Sequence, residues 1–496
     1  MTAYISTSIP YVNSVPHVGF ALELVQADIL SRHARSRGNA VHFQSGTDDN
    51  SLKNVRAAEA AGLPVAEHVA ANSARFRDLA EVLGVRFDDF VSTGSDERHR
   101  AAVHALWRRC RKAGDLYRKA YEGLYCVGCE QYYGEDELED GCCPEHGVPP
   151  ERIREDNWFF RLSAYGDRVK ALVETGELEV TPESRRNEVL SFLRGPIEDI
   201  CVSRSAQRAR GWGIPVPDDD GEVVYVWFDA LANYLTGAGY PDDTDRFTDT
   251  WSHAGVRTHL VGKGIARFHA VYWPAILLSA GLPLPTRVLV HGYLTVEGRK
   301  IGKSNGNGID PFALADTHGQ EALRWYLARH VRSTEDGDFS EAALAGSYRS
   351  DLSNQIGNLV SRTLAVVRKA GGTVPPHPGN PTPFLANVER LAPDVDGHIE
   401  DFSIHEAANA IVALAAEGNR YIVREAPWNL VGSDSGSDRE RLHRVLSELL
   451  SAFRAISQCL EPFLPTAAAR LDDLLEGRGA GTLFPAIIQD KGAGSP

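Results

Sequence analysis

Short apolar runs and one longer stretch with helical spacing alternate along the first fifty residues. The run at 4–9 predicts a short buried strand, and a proline-containing turn follows it. From residue 18 to about residue 37 apolar side chains recur at helical spacing, and Gly38 marks the predicted end. A second strand is predicted at 40–46, and polar residues follow it at 47–50. This order predicts a doubly wound α/β fold that binds ligands at the carboxyl ends of its strands.

The alternation breaks between residues 115 and about 215. A cysteine cluster and several short strand-like pieces predict an inserted domain there. The α/β pattern resumes at 223–229 and continues through the apolar runs at 258–263 and 288–292. From about Phe339 the pattern is mostly helical. We therefore expect an α/β domain split by an insertion and followed by a helical domain.

Composition and charge fit a soluble chain of several structural units. The 496 residues are 43% hydrophobic and 24% charged, and they contain no apolar run long enough to span a membrane. The amino-terminal residues lack the basic region of a signal peptide, so a cytoplasmic location without membrane contact is expected. The net charge of −15 argues against a protein that coats nucleic acid by bulk charge, but it allows a local basic face.

Four of the seven cysteines fall within 18 residues, which favours a metal site over disulfides in a cytoplasmic chain. The pairs Cys126-x-x-Cys129 and Cys143-x-x-His146 have the short spacings of tetrahedral zinc ligands. Cys142 could replace Cys143, and the competing interpretation is a group of free cysteines in a small core. Four protein ligands would make the zinc structural rather than catalytic.

The turn before the first helix is a candidate phosphate site. A helix start offers N–H groups and a positive dipole end, and Gly19 would let a phosphate approach the backbone. His17 could donate a hydrogen bond to that phosphate. Taken alone, a histidine at a helix start is more often a cap or a solvent-facing side chain.

A glycine-rich loop at 298–306 is the second candidate phosphate-binding segment. It carries Lys300 and Lys303, and lysines in a mobile loop can follow the charge that develops on transferring phosphates. Taken alone, this loop is better explained as a solvated basic turn.

Together, on an α/β background, these two segments resemble the HIGH and KMSKS signatures of class I aminoacyl-tRNA synthetases. The resemblance extends over nearly the whole chain to the methionyl-tRNA synthetase family, especially its shorter bacterial form. The segments at 121–126, 225–230 and 269–274 resemble that family's entry to the zinc knuckle and two of its core motifs. The Cys-Pro-x-His form of the family favours Cys143 over Cys142.

The resemblance implies an α/β, class I Rossmann-type catalytic domain with a zinc-containing insertion, plus a C-terminal all-α anticodon-binding domain. Because the chain stops after the helical domain, without the extra module that dimerises some family members, we expect a monomer. The predicted boundaries are 1–114 for the first catalytic half, 115–215 for the inserted connective domain with the zinc knuckle, 216–290 for the second catalytic half, 291–345 for the lysine-loop region that contacts the tRNA stem, 346–488 for the helical anticodon-binding domain, and 489–496 for a disordered tail.

The implied reaction joins L-methionine to tRNA(Met) in two steps, with ATP and its accompanying Mg²⁺, and the implied zinc is structural. Catalysis of this kind rests on positioning and on neutralising phosphate charge, so the predicted catalytic residues are His17, Lys300 and Lys303. The resemblance implies an ATP site formed by His17, Gly19, Phe20, Gly262, Lys263, Gly264, Lys300, Lys303 and Ser304.

The resemblance also implies an apolar, aromatic-walled pocket for the methionine side chain. Such walls suit a polarizable thioether, although one methylene changes the binding free energy by only about 1–3 kcal/mol, so near-isosteres would be weakly rejected. A carboxylate at a strand end, Asp48, would pair with the substrate ammonium. The implied methionine-binding residues are Ile9, Tyr11, Asp48, Trp227, Ala230, Tyr234, Ile265, Phe268 and His269.

The helical end carries the implied anticodon-binding residues. Asn354, Asn358 and Arg362 are spaced four apart, which places them on one helical face, and Trp428 lies in a second helical region. Single-stranded loops of RNA are read by hydrogen bonds to splayed bases and by aromatic stacking. Without the resemblance, a solvated polar face would explain the same pattern.

The sequence departs from the family mainly around the nucleotide. Phe20 replaces the second signature histidine, Asn50 interrupts the usual acidic-His-Gly run, Gly264 replaces an acidic residue, and Ile301-Gly302 replaces Met-Ser. Losing one preorganised donor can cost about 10²–10³ in rate, so a slow enzyme is possible on this pattern. The alternatives are a paralogue that delivers methionine or an analogue to a non-tRNA acceptor, and a non-catalytic methionine- or tRNA-binding protein. A nucleotidyltransferase of the same fold would need neither the insertion nor the helical end.

Overall fold

The computed structural model describes residues 2–128, 131–145, 147–301, 308–374 and 382–485. The chain divides into two compact units. Unit 1 comprises Met1–Pro16, Arg37–Glu81 and Val85–His291, and unit 2 comprises His17–Ser36, Val82–Gly84 and Gly292–Pro496. The predicted disordered tail at 489–496 lies outside the described residues.

The elements alternate as expected for an α/β chain with a helical end. The strands are β1 (Thr2–Ser6), β2 (Ala40–Thr47), β3 (Asp89–Ser92), β4 (Leu116–Cys126), β5 (Gln131–Tyr133), β6 (Glu151–Phe160), β7 (Glu179–Thr181), β8 (Ile200–Cys201), β9 (Ser203–Ser205), β10 (Pro215–Val216), β11 (Asp219–Val224), β12 (Val256–Gly262), β13 (Arg287–His291), β14 (Leu294–Val296), β15 (Arg299–Lys300) and β16 (Gly337–Asp338). The α-helices are α1 (Val18–Ser36), α2 (Leu52–Ala61), α3 (Val65–Val82), α4 (Glu97–Lys112), α5 (Gly166–Thr175), α6 (Glu183–Arg194), α7 (Val226–Gly237), α8 (Thr244–Phe247), α9 (Trp273–Ala280), α10 (Pro311–His318), α11 (Gln320–Arg329), α12 (Glu341–Ser347), α13 (Asn358–Lys369), α14 (Pro383–Glu400), α15 (Ile404–Glu425), α16 (Gly436–Leu460) and α17 (Pro465–Leu475). Three π-helical segments adjoin them, at Thr248–Ser252, Phe268–Tyr272 and Tyr348–Gly357.

A six-stranded parallel sheet forms the centre of unit 1. Its strand order is β3-β2-β1-β12-β13-β7, so the order reverses direction at β1. The carboxyl ends of β1, β2 and β12 therefore meet where the two halves of the sheet diverge, and ligands of such sheets bind at this point. The predicted doubly wound sheet is confirmed, although β1 ends at Ser6 rather than at Ile9.

The sheet is buried by large aromatic and aliphatic side chains of unit 1. Trp107, Trp251 and Trp273 are fully buried in one continuous cluster with Tyr4 and Phe228. Each such side chain stabilises the folded state by about 1.5–3 kcal/mol relative to its exposed form. This core fixes the strand ends that carry the polar site residues.

The segment predicted as an insertion contributes to two small antiparallel sheets, the second of which extends beyond it to Val224, and it also contributes to the main sheet. One small sheet has the order β5-β4-β6-β8 and the other β10-β11-β9. The strand β7, from within 115–215, pairs in parallel with β13 of the main sheet. β7 thereby covers an edge of β13 that would otherwise lack backbone partners, and the boundaries 115–215 stay a prediction.

Unit 2 contains a three-stranded sheet and the helices that follow it. The sheet has the order β15-β14-β16, and from α12 to α17 the described chain is helical. The predicted helical end is thus confirmed. The helix α1, predicted as part of the first catalytic half, clusters with unit 2, and 14 of its 19 residues are buried. Among the described residues, no helix is both long and apolar enough to cross a bilayer.

Candidate functional site

Asp48 lies directly after β2, at the carboxyl edge of the main sheet. It is 2% exposed, and its N–H donates to the Pro10 carbonyl at 2.9 Å. Asn54 donates to the Asp48 carbonyl at 2.9 Å, and Asp48 forms an isolated parallel bridge with Tyr11. These backbone bonds hold a carboxylate in a protein environment of low polarity, where it attracts a cation more strongly than it would in water.

Aromatic rings surround the same edge of unit 1. The Trp227 indole stacks on the Phe268 ring with centroids 3.6 Å apart and planes 13° from parallel, and Tyr11 meets Trp227 edge-on at 6.5 Å. Trp227, Ala230 and Tyr234 follow at spacings of three and four along α7, which places them on one helical face. Three of the predicted methionine-binding side chains are therefore in ring contact.

Tyr234 and His269 form a second contact pair of the predicted pocket. His269 Nδ1 lies 2.9 Å from the Ile265 carbonyl, which can only accept, so Nδ1 donates and, in the neutral ring, Nε2 is the acceptor. The Tyr234 hydroxyl therefore donates to His269 Nε2, at 2.7 Å. The structure places Ile9 between β1 and Tyr11, partly exposed.

A buried histidine that was not among the predicted site residues supports this pair. His259 on β12 stacks obliquely on Tyr234 at 4.3 Å between ring centroids. Trp273 donates to its Nε2 at 3.2 Å, so its Nδ1 donates to the Ser6 hydroxyl at 2.7 Å. Burial lowers the pKa of His259 well below its ordinary value, which keeps the ring neutral. The sequence signal that could have identified His259 is a histidine within an otherwise apolar strand.

Asp49 and Asn50, which follow Asp48, belong to a buried polar network. Asn50 Nδ2 donates to Asp229 Oδ2 at 2.8 Å, and the other Asp229 oxygen lies 2.5 Å from His99 Nε2. Asp49 Oδ2 accepts from the Gly94 N–H at 3.0 Å, whereas Asp49 Oδ1 has no hydrogen-bond partner in the part of the chain that the structure describes. Burial, reinforced by the charge of Asp229, raises the pKa of Asp49 to about 6.

The stability difference between an Asp49→Asn variant and the wild type is expected to grow with pH. The carboxyl titrates near pH 6 in the folded protein. In the unfolded chain it titrates near about pH 4, so the folded state binds more protons between these values. Ionisation of Asp49 therefore destabilises the wild type as pH rises from about 4 to 6, and the full loss, reached above pH 6, is about 3 kcal/mol. Urea unfolding at pH 4–8 measures this. A flat difference for Asp49→Asn across this pH range would contradict the prediction.

The predicted phosphate-binding turn lies in unit 2, and its geometry corrects one expectation. The first helical N–H groups already have partners: the N–H of Val18 donates to the Ile309 carbonyl, that of Gly19 to His17 Nδ1 at 3.0 Å, and that of Phe20 to the His17 carbonyl. The turn therefore does not present the unpartnered donors expected of a helix start. Since His17 Nδ1 accepts, the proton of the neutral ring is on Nε2.

Close packing explains the glycine in this turn. A Cβ on Gly19 would lie 2.8 Å from His17 Cε1, so any side chain there would displace the ring. Phe20 is 8% exposed, which places this departure from the family within the packed interior.

The remaining predicted nucleotide residues divide between the two units. In unit 1, Gly262 ends β12, and Lys263 and Gly264 form the 3₁₀ turn that follows, with Gly264 exposed. In unit 2, Lys300 ends β15, and its side chain lies outside the part of the chain that the structure describes. Gly302, Lys303 and Ser304 lie outside the described residues.

The predicted anticodon residues are exposed in unit 2. Asn354 lies in the π-helical segment Tyr348–Gly357, and Asn358 and Arg362 are on the next helix, α13. The Arg362 guanidinium lies 5.6 Å from the centroid of the Trp428 ring, and Trp428 is 42% exposed in a 3₁₀ turn. An exposed indole beside a guanidinium offers a stacking surface for a nucleobase.

Two of the four predicted zinc ligands are described, and both are buried. Cys126 ends β4 at 1% exposure, and Cys143 is 0% exposed in a turn where its N–H donates to the Val148 carbonyl at 2.9 Å. Cys129 and His146 lie outside the described residues. Among the residues outside those gaps, no cluster of three or more potential metal ligands occurs. The zinc site stays a prediction.

Comparison with protein families gives two matches that together span most of the chain. The family described as tRNA synthetases class I (M) matches residues 3–152 and 137–364, and the anticodon binding domain of methionyl tRNA ligase matches residues 377–486. Curated proteins named methionine–tRNA ligase from Brucella suis and Mycobacterium bovis are each 40% identical to this chain, over 483 and 481 residues. Both alignments cover 95% of this chain and 91% of the relative.

Solved structures give the same result at the level of the fold. Mycobacterium tuberculosis methionyl-tRNA synthetase in complex with methionyl-adenylate matches with a TM-score of 0.90 at 38% identity, over 99% of both chains. Its apo form matches with a TM-score of 0.83 at 35% identity, over 99% of this chain and 97% of that one. The similarity therefore includes both the sheet-containing part and the helical end.

Proposed function

The chain belongs to the methionyl-tRNA synthetase family, and from this premise we propose that it activates L-methionine with ATP and transfers the methionyl group to tRNA(Met). One observation carries the proposal. Unit 1 contains an aromatic pocket beside a buried carboxylate, and unit 2 contains an exposed pair formed by Arg362 of α13 and Trp428 of a 3₁₀ turn. The comparisons do not favour the alternatives of a non-tRNA acceptor or a non-catalytic binding protein.

In the first step, the methionine carboxylate attacks the α-phosphate of ATP, and pyrophosphate leaves. Asp48 binds the substrate ammonium, and the Trp227–Phe268 and Tyr234–His269 pairs enclose the side chain. His17 Nε2 donates to a phosphate oxygen. Lys300 and Lys303 neutralise phosphate charge, and Mg²⁺ accompanies the nucleotide. The catalytic contribution is mainly positioning and charge stabilisation.

In the second step, the terminal ribose hydroxyl of the tRNA attacks the acyl carbonyl of methionyl-adenylate, and AMP leaves. Recognition of the anticodon by Asn354, Asn358, Arg362 and Trp428 selects the tRNA. Arg362 and Trp428 suit a splayed base because stacking and a charged donor act together. The predicted monomeric state and cytoplasmic location stay predictions.

A structural zinc ion fits the two ligands that the structure describes. Cys126 and Cys143 are both almost completely buried, and thiolates are the donors that tetrahedral structural zinc prefers. Cys129 and His146 would complete the set. When bound, the metal would cross-link β4 to the turn at Cys143 and stabilise this small part of the fold.

Replacing Cys126 by serine is expected to abolish stoichiometric zinc binding. The wild type should purify with about one zinc per chain, because all four ligands come from the protein. Elemental analysis measures the metal, and the melting temperature reports the lost cross-link. The matched control is Cys142→Ser, which should retain zinc. Zinc loss in the control but not in Cys126→Ser would contradict the assigned ligands.

The proposed activity is tested by methionine-dependent exchange of pyrophosphate into ATP, followed by aminoacylation of a tRNA with a CAU anticodon. We expect exchange with methionine and not with leucine or valine, and aminoacylation that falls when the anticodon is altered. Absence of exchange at high enzyme concentration would overturn the proposed activity. Exchange without transfer to tRNA would instead support a different acceptor.

A further inference from the structure

A buried arginine on β9 lies against the thiol of Cys201 in unit 1. Arg204 is 6% exposed, and its Nη1 donates to Cys201 Sγ at 3.2 Å and to the Ser203 carbonyl at 2.8 Å. Its Nε and Nη2 have no hydrogen-bond partner, and the guanidinium forms no ion pair with a carboxylate, among the residues whose positions the structure gives. A cation is therefore held in the interior beside a sulfur atom, with two of its donor nitrogens unused.

Three tyrosine rings provide part of the stabilisation of this cation. The guanidinium lies 4.0 Å from the ring centroid of Tyr225, 4.6 Å from that of Tyr132 and 4.9 Å from that of Tyr125. Contacts between a cation and an aromatic face are favourable, but the faces carry no net charge. Arginine does not give up its proton in proteins, and a buried cation is costly unless an anion accompanies it. Since thiols ionise at lower pH than phenols, the Cys201 thiol is the neighbouring group best suited to supply that anion.

The Cys201 thiol can be reached from the surface through a cavity. Cys201 is on β8 and lines a cavity of about 610 Å³ within unit 1. Exposed residues such as Asp136 and Glu198 line the same cavity, so a small solute can enter it. In the thiol form, Cys201 Sγ donates to the Ser203 carbonyl at 3.3 Å, and loss of the proton leaves the sulfur beside the guanidinium. A thiolate that is accessible and lies next to a cation is the form of cysteine that oxidants attack.

We propose that Cys201 is a modification site for small hydroperoxides, with Arg204 as the group that stabilises the reacting thiolate. The thiolate sulfur attacks one oxygen of the hydroperoxide, so an S–O bond forms and the O–O bond breaks. The sulfur is oxidised by two electrons, and the leaving hydroxide or alkoxide takes up a proton from water. The product is a sulfenic acid, whose oxygen is a further acceptor beside the guanidinium. Two molecules of a small thiol reduce it again, with release of water and a disulfide.

Oxidation of Cys201 changes the surroundings of the proposed methionine pocket, and this consequence rests on the proposed function. Trp227 and Phe268 line the same cavity as Cys201. The carbonyl of Val202, the next residue, accepts from the Tyr225 N–H at 2.8 Å, and Tyr225 directly precedes α7. An oxygen added to the sulfur therefore places a polar group in the wall that the two pocket rings share. We expect the KM for methionine to rise by about fivefold, the lower end of the usual coupling between two sites.

The modification site is tested by treatment with hydrogen peroxide and a dimedone probe, which labels sulfenic acids. Peptide mass spectrometry measures the labelling rate of each cysteine. The protein carries Cys142→Ser, because the Cys142 thiol is partly exposed and would compete. We expect Cys201 to be labelled at least about tenfold faster than Cys110, which is fully buried and whose pKa is raised to about 12 by burial. Labelling of Cys201 no faster than that of Cys110 would overturn the proposal.

The role of Arg204 is tested by a matched pair of variants. Arg204→Met removes the cation and keeps a long unbranched side chain, whereas Arg204→Lys keeps a positive charge. We expect the labelling rate of Cys201 to fall by about tenfold in Arg204→Met and to stay within about threefold in Arg204→Lys. The melting temperature shows whether each variant is folded, and the comparison of Cys201 with Cys110 needs neither variant. Undiminished labelling in folded Arg204→Met would overturn the role of Arg204.

Pyrophosphate exchange before and after peroxide treatment tests the consequence for the pocket. The treated Cys142→Ser protein should show the raised KM for methionine, and a small thiol should restore the original value. The control carries Cys201→Ser in addition, and peroxide should leave its KM unchanged. An unchanged KM in protein that is oxidised at Cys201, or an equal rise in the control, would overturn the effect on the pocket. Absence of exchange in untreated protein would overturn the proposed function alone, because labelling of Cys201 needs no turnover.

Discussion

A His17→Ala variant is expected to lose about 10²–10³-fold in kcat for methionine-dependent pyrophosphate exchange, the size of effect measured when one preorganised donor is removed from a transition state. The structure gives the reason. The Gly19 N–H donates to His17 Nδ1 at 3.0 Å, so the neutral ring carries its proton on Nε2, the nitrogen that we propose donates to the phosphate. With Phe20 in place of a second signature histidine, the turn has no other imidazole to compensate.

Two further variants make the His17 result specific. His17→Gln keeps an N–H donor near the position of Nε2 and should retain part of the lost rate. The control is His253→Ala, which removes an exposed histidine and should leave exchange unchanged. Wild-type exchange by His17→Ala would contradict the assigned donor. A proportional rise in the KM for methionine would show instead that the variant disturbs the amino-acid pocket.

An Asp48→Asn variant is expected to lose most of its affinity for methionine. Removal of one member of a buried charge pair costs about 2–5 kcal/mol, which is about 30-fold to several thousand-fold in kcat/KM. Asp48 is 2% exposed, and its N–H is bonded to the Pro10 carbonyl. Water therefore cannot replace the interaction between the Asp48 carboxylate and the ammonium without a large cost in binding free energy. Steady-state exchange kinetics across methionine concentrations measure the loss.

The substrate can be varied along with the side chain. The 2-hydroxy analogue of methionine lacks the ammonium, so the wild type should discriminate strongly against it. Asp48→Asn should lose most of that discrimination, whereas the exposed control Asp78→Asn should keep it. Equal discrimination by wild type and Asp48→Asn would contradict the proposed pairing of Asp48 with the ammonium.

The main sheet and the helical end could be predicted because their patterns are local. Most residues of β2 and β12 are buried, as in a parallel sheet covered on both faces. Apolar runs are typical of such strands and can be recognised in the sequence. The spacing of Trp227, Ala230 and Tyr234 likewise follows from helical geometry. A position such as Asp48 could be expected at the carboxyl edge because it follows a strand.

Contacts between distant parts of the chain could not be predicted in the same way. Nothing in residues 179–181 indicates that β7 leaves the inserted sheets and pairs with β13. The pairing of His99 with Asp229 spans 130 residues and leaves no spacing to recognise. The N–H groups of the His17 turn were expected to lack partners. Their acceptors could not be foreseen, because they depend on the rotamer of the His17 side chain and on the distant Ile309 carbonyl.

The structure also gives a role to one departure from the family. Asn50 donates through Nδ2 to both Asp229 at 2.8 Å and the Thr93 carbonyl at 3.2 Å. Its amide therefore satisfies an oxygen of a fully buried carboxylate, which would be costly to leave without a partner. At this position the altered residue is part of a hydrogen-bond network, so the sequence change does not leave the site without a polar contact.

The stacked Trp227 and Phe268 rings give the proposed amino-acid pocket an optical property. Their centroids are 3.6 Å apart, so a ligand side chain that enters between them must separate them and change the surroundings of the indole. Indole emission depends on those surroundings. A change in tryptophan emission that is lost in Trp227→Phe can therefore report occupancy of the proposed pocket among the eight tryptophans of the chain, even in a protein that turns over nothing, such as His17→Ala, and so separate recognition of the amino acid from its chemistry.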